Sequence, residues 1–250
     1  MNVLIACEES QAVVTEFRNH GINAFSCDVI KCSGGHPEWH INSDVTPLLN
    51  GNCTFHTQDG IMHKITNEWD AIIAFPPCTD LAVSGTKYFE VKRNDGRQRK
   101  AIDFFCSFFN AKCKHVAIEN PVNIIGGKYI TKYFPDLCKK YNLPIKPNQR
   151  IQPWMFGDNF SKTTCLWLKG LPELHEQNAI EPDIEYLEWV DPKTGKKKKQ
   201  DKWSAYMKHK DRGLLRSKTF PGIAKAMGEQ WSAYLNSQRE VTNDSTNQIL

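Results

Sequence analysis

Trp69–Gly85 reads WDAIIAFPPCTDLAVSG, and the fold turns on it. Ala71-Ile72-Ile73-Ala74-Phe75 has the length and composition of a fully buried strand in a parallel sheet. Pro76-Pro77 stop it at once, because proline offers no backbone donor and cannot continue a central strand. Cys78 therefore sits on a stiff loop at the carboxyl end of a strand, where open α/β sheets place their ligands. A cysteine after a strand is commonly just a small buried hydrophobe. Two prolines before it and the polar Thr79-Asp80 after it favour a presented thiol instead.

Working outward, Asn2–Ala6 reads as a first strand and Glu8–His20 as a helix with Val13, Val14 and Phe17 on one face and Gly21 as terminator. Ala24–Cys27 makes a second strand ending in Asp28, which completes a βαβ unit. The Asp28 carboxylate suits a ribose, or it caps a turn. The loop between strand and helix, Cys7-Glu8-Glu9-Ser10-Gln11, contains no glycine and carries two acids. The acids favour the helix dipole and repel phosphate, which argues against a pyrophosphate nucleotide. Downstream, His115–Ile118 reads as a short strand with Glu119-Asn120-Pro121 at its end. If that strand neighbours Ala71–Phe75, Cys78 and Glu119 face one crevice. A thiol nucleophile beside a carboxyl that holds or donates a proton suits attack on an electron-poor ring.

Pro76-Pro77-Cys78 followed by Glu119-Asn120 resembles the DNA cytosine-5 methyltransferases, with their Pro-Cys loop and Glu-Asn-Val tripeptide, and among them the small phage-type members. Pro121 stands where the family has Val, and the family's Phe-x-Gly-x-Gly first loop is absent. The resemblance implies a Rossmann-like class I S-adenosylmethionine-dependent methyltransferase fold with a small, basic target-recognition insertion. It implies Cys78 as nucleophile and Glu119 as the group on ring nitrogen 3, with Asn120 and Lys162 completing the catalytic set. Lys162 takes the position of the family's first Arg and Thr164 that of the second, so Arg150 or Lys162 would stand in for the missing guanidinium. S-adenosylmethionine, a sulfonium without phosphate, is compatible with the acidic loop. Its implied contacts are Ala6, Cys7, Glu8, Ser10, Gln11, Asp28, Val29, Asp44, Val45 and Pro76, with Asp44 matching the Asp that recognises the adenine amino group. Ser84-Gly85 match the loop that closes over the flipped base. The implied partner is double-stranded DNA, contacted through Ser84, Lys87, Lys196, Lys197, Lys198, Lys199 and Arg212. Phe220–Trp231 resembles the family's terminal segment, as an amphipathic helix.

This gives a layout of residues 1–168 for catalysis and cofactor, 169–217 for a short target-recognition region, 218–238 for a returning helix, and 239–250 for a disordered tail. Cys53–Ile65 reads as a hairpin around Gln58-Asp59-Gly60, Lys87–Lys100 as a mobile polar stretch, and Ala101–Asn110 and Tyr129–Tyr141 as helices; Ser161–Leu168 runs into a further strand. Cys27, Cys32, His36 and His40 have a spacing reminiscent of zinc ligands, but not that of a standard finger, and Cys27 falls inside a strand, so no metal is assigned.

Composition is that of a soluble globular protein, with 40% hydrophobic and 24% charged residues, and it lacks a run long enough to span a membrane. MNVLIACEES turns acidic without a basic segment, so no signal peptide is expected; nine cysteines then read as reduced thiols in a cytoplasmic protein, and the phage-type resemblance implies a monomer in a bacterial host cell. The net charge of +4 is mild, but Lys193, Lys196–Lys199 and Lys202 form a basic block, followed by Trp203, Tyr206, Lys208, Lys210 and Arg212. Such a block is either a solvated loop or a phosphate-contacting surface. Two other functions fit the same motifs. One is an enzyme modifying free cytidylate, against which the basic block argues. The other is a DNA-binding decoy that kept the fold without binding cofactor, which the glycine-free loop favours.

Overall fold

A computed structural model of the protein describes residues 1–202 and 218–247. Ten of its elements lie up to the end of the strand that bears Glu119 and Asn120. In chain order these are β1 (Asn2–Ala6), α1 (Ala12–Asn19), β2 (Asn23–Asp28), β3 (His40–Asn42), β4 (Cys53–His56), β5 (Met62–Ile65), β6 (Ala71–Ala74), α2 (Phe89–Asn94), α3 (Arg97–Phe109) and β7 (Val116–Pro121). Then come α4 (Lys128–Tyr133), α5 (Pro135–Tyr141), β8 (Gln149–Ile151), β9 (Thr164–Lys169), β10 (Tyr186–Val190), β11 (Lys197–Asp201) and α6 (Pro221–Asn247).

The central sheet has seven strands in the order β3-β2-β1-β6-β7-β9-β8. The first five run parallel, while β9 runs antiparallel to both β7 and β8. The protein is thus α/β with a mostly parallel sheet. The strand order reverses between β1 and β6, which makes the crevice beyond their carboxyl ends a topological switch point. Residues alternate between two buried layers, as a sheet covered on both faces requires. Leu4, Phe25, Ile72, Ile118 and Trp167 pack beneath α3 and the β4–β5 hairpin, through Ile102, Phe105, Phe108 and Phe55. Val3, Ile5, Ile73, Ala117 and Leu166 pack on α1 and α6, through Val13, Val14, Phe17, Met227 and Trp231.

Several sequence expectations are corrected. The first helix starts at Ala12, not Glu8, because Gln11 takes a left-handed conformation (φ 60°) that no helix interior allows. Glu119, Asn120 and Pro121 lie within β7, not beyond it, because antiparallel pairing with Leu166, Cys165 and Thr164 of β9 prolongs the strand. The helix expected over Tyr129–Tyr141 breaks at Phe134, since Pro135 starts a new one; proline cannot continue a helix but suits its first turn. Lys87–Lys100 is not a mobile stretch: it holds the end of a 3₁₀ turn, all of α2 and the start of α3. Lys197–Lys199 lie in a strand, not a loop, paired across a two-stranded ribbon to Glu188, Trp189 and Val190. Of the stretch 239–250 expected to be a disordered tail, α6 takes in residues as far as Asn247, and 248–250 lie outside the described residues. None of the nine cysteines forms a disulfide. Among the described residues, no helix is long and apolar enough to cross a membrane.

Candidate active site at the ends of β6 and β7

β6 and β7 are hydrogen-bonded neighbours, with Ala74 opposite Ile118, so the segments after them leave the sheet side by side. The Cys78 carbonyl accepts from the amides of Leu81 (3.0 Å) and Ala82 (2.8 Å), which closes a tight turn directly after the prolines. Proline cannot donate a backbone bond, so the loop is held through acceptors instead. Asn120, 1% exposed, donates from Nδ2 to the Pro76 carbonyl at 2.8 Å. Its own Oδ1 accepts from Asn123 Nδ2 (3.1 Å), and Asn123 Oδ1 accepts from the Ile125 amide (3.0 Å). Val83 N to Val122 O (3.0 Å) and Ile124 N to Leu81 O (3.1 Å) tie the two segments again farther on. The Pro-Cys and Glu-Asn segments are therefore one bonded unit.

Burial pushes the Glu119 carboxyl above its ordinary range, while the Lys162 charge and a hydrogen bond with Thr164 act in the other direction. A carboxyl raised in this way keeps its proton to higher pH and is suited to hydrogen-bond a ring nitrogen. Lys162 also lies over the Phe220 ring, 5.7 Å from its centre. Arg150 instead hydrogen-bonds Cys165 on β9, whose thiol burial raises. Of the two cations offered as stand-ins for the family's Arg, Lys162 is the one acting on Glu119.

At the switch point, the Phe75 amide donates to the Ala6 carbonyl at 2.9 Å, joining the exits of β1 and β6. The glycine-free loop achieves its turns by placing two ordinary residues, Cys7 (φ 59°) and Gln11 (φ 60°), in the left-handed region. Such strain concentrates at ligand sites. Two of the expected cofactor contacts are engaged within the protein. Glu8 accepts from the amides of Val13 (2.6 Å) and Val14 (3.2 Å), and so caps α1; burial pushes its carboxyl up to about 7. Gln11 clasps the backbone of His36 through both ends of its amide, at 2.7 and 2.9 Å. The Cys7 thiol is raised by burial and then by the nearby charges of Asp28, Cys27 and Asp44.

Burial also raises Asp28, whose Oδ1 accepts from the Ile30 amide at 3.0 Å. Between them Val29 is 73% exposed, while Val45 beside Asp44 is buried. Asp44 Oδ1 accepts from the amide (2.9 Å) and hydroxyl (2.8 Å) of Thr46. Glu9, which was not among the expected cofactor contacts, is 8% exposed, and its Oε1 has no partner among the described residues. Asp28 and Asp44 thus lie near Cys7, and the Glu9 charge bears on Asp28. Carboxylate acceptors of this kind fit the hydroxyls, amines and sulfonium of S-adenosylmethionine and disfavour a phosphate.

The sequence also gave no hint of Lys92, a buried lysine packed under the turn after Cys78, because it stands in a run of polar and basic residues. Ser84 and Lys87 lie exposed on the 3₁₀ turn Val83–Tyr88, which follows the Cys78 turn in the chain. Lys196–Lys199 belong to the separate β10–β11 ribbon and its turn, and Arg212, Trp203 and Tyr206 fall outside the described residues. Among the described residues, no cluster of His, Cys, Asp or Glu could hold a metal. Cys27 Sγ donates to the Ser43 carbonyl (3.4 Å) and both His40 nitrogens are bonded, to Ser26 and to the Ile30 carbonyl (each 2.9 Å).

No protein-family model matches the chain, and no curated protein matches it either. One solved structure to which it is similar is a protein taken to be a DNA modification methyltransferase, encoded within an E. coli prophage. The two are 12% identical, with a TM-score of 0.41; the match covers 67% of this chain and 46% of that one. A likeness this slight says nothing about chemistry, which rests on the side chains above.

Proposed function

We propose that this chain methylates carbon 5 of cytosine in double-stranded DNA, using S-adenosylmethionine and a covalent adduct to Cys78. The observation that carries the reading is the bond from Asn120 to the Pro76 carbonyl, which couples the thiol's loop to the strand bearing Glu119. Asp28, Asp44 and Glu9 would hold the cofactor, with Val29 beside its base. When bound, S-adenosylmethionine supplies an electrophilic methyl group.

Carbon 5 of cytosine is not nucleophilic by itself. Addition of the Cys78 thiolate to carbon 6 breaks the 5,6 double bond and makes carbon 5 electron-rich. Glu119 holds a proton at ring nitrogen 3, which accepts the displaced electron pair, and Lys162 and Thr164 keep that carboxyl in place. After methylation, loss of the carbon-5 proton restores the double bond and expels the thiolate. The base must leave the duplex first, at a cost of a few kcal/mol. Ser84 and its turn close over the flipped base, and Lys87 and the ribbon lysines supply contacts to phosphates.

Duplex DNA with 5-fluorocytosine tests the reading, since fluorine at carbon 5 cannot leave as a proton. Incubation with S-adenosylmethionine is expected to give a denaturation-resistant adduct that maps to Cys78 and is missing in Cys78→Ser. Absence of an adduct, or one on another cysteine, overturns the assignment. If S-adenosylmethionine fails to bind in a titration while DNA still binds, the decoy reading stands, which the absence of glycine from the first loop favours.

A further inference from the structure

Among the described residues, Lys92 alone of the lysines and arginines is buried, at 6% exposed. Its ammonium donates to the Thr79 carbonyl and lies 3.2 Å from Asp80 Oδ1. A Cβ added at Gly85 would stand 3.6 Å from Nζ and 3.8 Å from the Thr79 oxygen, so the ammonium also underlies the Ser84-Gly85 turn. Taking a charge out of water costs several kcal/mol, even when it is paired, and an apolar side chain of similar volume would fill the space more cheaply. The charge therefore calls for a reason. Thr79 and Asp80 directly follow Cys78, whereas Asn120 grips the chain at Pro76, just before it.

We infer that Lys92 is a positioning residue, which holds the Cys78 turn from its carboxyl side while Asn120 holds it from the other. This rests on the reading of Cys78 as the reacting thiol. The prolines cannot fix the turn through backbone donors, and the two polar side chains reach in from α2 and β7 to do so. A nucleophile fixed in this way attacks without first ordering its own loop. The polar stretch Lys87–Lys100 is accordingly part of the site's frame.

Two measurements on the full chain test this. The first is backbone hydrogen exchange without DNA. Lys92→Met is expected to speed exchange across residues 78–85 about tenfold or more, with little change elsewhere, and Lys92→Arg to restore protection because it keeps a donor. The second is the single-turnover rate of adduct formation on 5-fluorocytosine duplex. It is expected to fall about tenfold or more in Lys92→Met, with DNA and S-adenosylmethionine affinities unchanged, and to recover in Lys92→Arg.

Unchanged exchange in residues 78–85 overturns the inference. So does faster exchange spread evenly over the chain, or an arginine variant as impaired as the methionine one, because either makes Lys92 a packing residue only. If Lys92→Met does not fold, Asp80→Asn decides in its place: it removes the counter-charge, and local loosening supports the inference while unaltered exchange rejects it. A wild-type protein that forms no adduct, with local loosening still seen in Lys92→Met, removes the methyltransferase reading and leaves the hold on the turn intact.

Discussion

Glu8 directly follows Cys7 in the chain, yet its carboxylate turns to the first free amides of α1. Burial outweighs those two hydrogen bonds and raises its pKa to about 7. The folded protein therefore binds a proton that the unfolded chain, titrating near pH 4.5, has already released. The stabilising contribution is complete below about pH 4.5 and is lost as pH rises through about 7. Wild type is expected to lose on the order of 3 kcal/mol between pH 4.5 and 8 relative to Glu8→Gln, which cannot ionise. Urea unfolding of both proteins across that range checks this, and parallel curves would show that Glu8 is not the group responsible. Asn120 offers a second test at the same scale. Asn120→Ala leaves the Pro76 carbonyl and Asn123 without their partner and is expected to destabilise by about 1–3 kcal/mol. Adduct formation should slow in that variant even at temperatures where it is fully folded, and an unaltered rate would detach Asn120 from the Cys78 loop.

Among the described residues, the β10–β11 ribbon pairs with no other strand, and Trp189, Val190 and Tyr186 on it are exposed. A two-stranded ribbon alone is marginal in water. This one is anchored at its foot, where Asn159 exchanges hydrogen bonds with the Asp183 backbone at 3.0 and 3.2 Å and Lys202 pairs with Glu185 at 2.6 Å. Asn159 lies shortly before Lys162, so the ribbon is tied to the loop that serves Glu119. Ribbons of this width fit a major groove, and lysines along one strand would meet phosphates. The lysines are not equivalent, however. Lys198 is bonded to Asp191, whereas Lys197 stands opposite Val190 and meets no acid in its pair. Lys197→Gln is expected to flatten the dependence of log affinity on log salt by up to about 0.9, and Lys198→Gln to change it far less. DNA-binding titrations at several salt concentrations measure both, and equal slopes in all three proteins would place the ribbon away from the phosphates.

Over the whole molecule, the face of the sheet opposite α3 is sealed by α1 and α6, elements from opposite ends of the chain. Trp231 on α6 is fully buried and donates from Nε1 to the Pro172 carbonyl at 3.0 Å. Trp231→Ala is expected to destabilise the protein by about 3–5 kcal/mol, read as a lowered unfolding midpoint. Gly228 gives a sharper test, because glycine to alanine within a helix ordinarily stabilises by about 1 kcal/mol. Here the new Cβ would lie 2.4 Å from Glu16 Cβ and 2.9 Å from the Glu16 carbonyl carbon, so the sign is expected to reverse. A Gly228→Ala protein as stable as wild type would mean that the two helices sit farther apart.

The sequence by itself determined the elements whose signals are local. Asn2–Ala6 and Ala71–Ala74 are short apolar runs with clear stops, and the Pro76-Pro77-Cys78 loop follows from proline's missing donor. The β4–β5 hairpin is legible for the same reason, from its Asp59-Gly60 turn. Only the tertiary structure decided which groups surround the motifs. Glu119 meets Lys162 and Thr164 because β9 inserts antiparallel beside β7, a pairing that no local pattern specifies. Asn120 reaches Pro76 across 44 positions of chain, and Lys92 reaches back beneath Thr79 from a stretch whose polarity looks like exposure. Glu8 and Gln11 look like ligand contacts in the sequence, yet in the fold they hold a helix and a loop. Strand and turn formation depend on neighbours along the chain, whereas the partner of a buried polar side chain depends on which segments meet in space. The motifs were therefore readable from one dimension, and the hold on Cys78 and the setting of Glu119 were not.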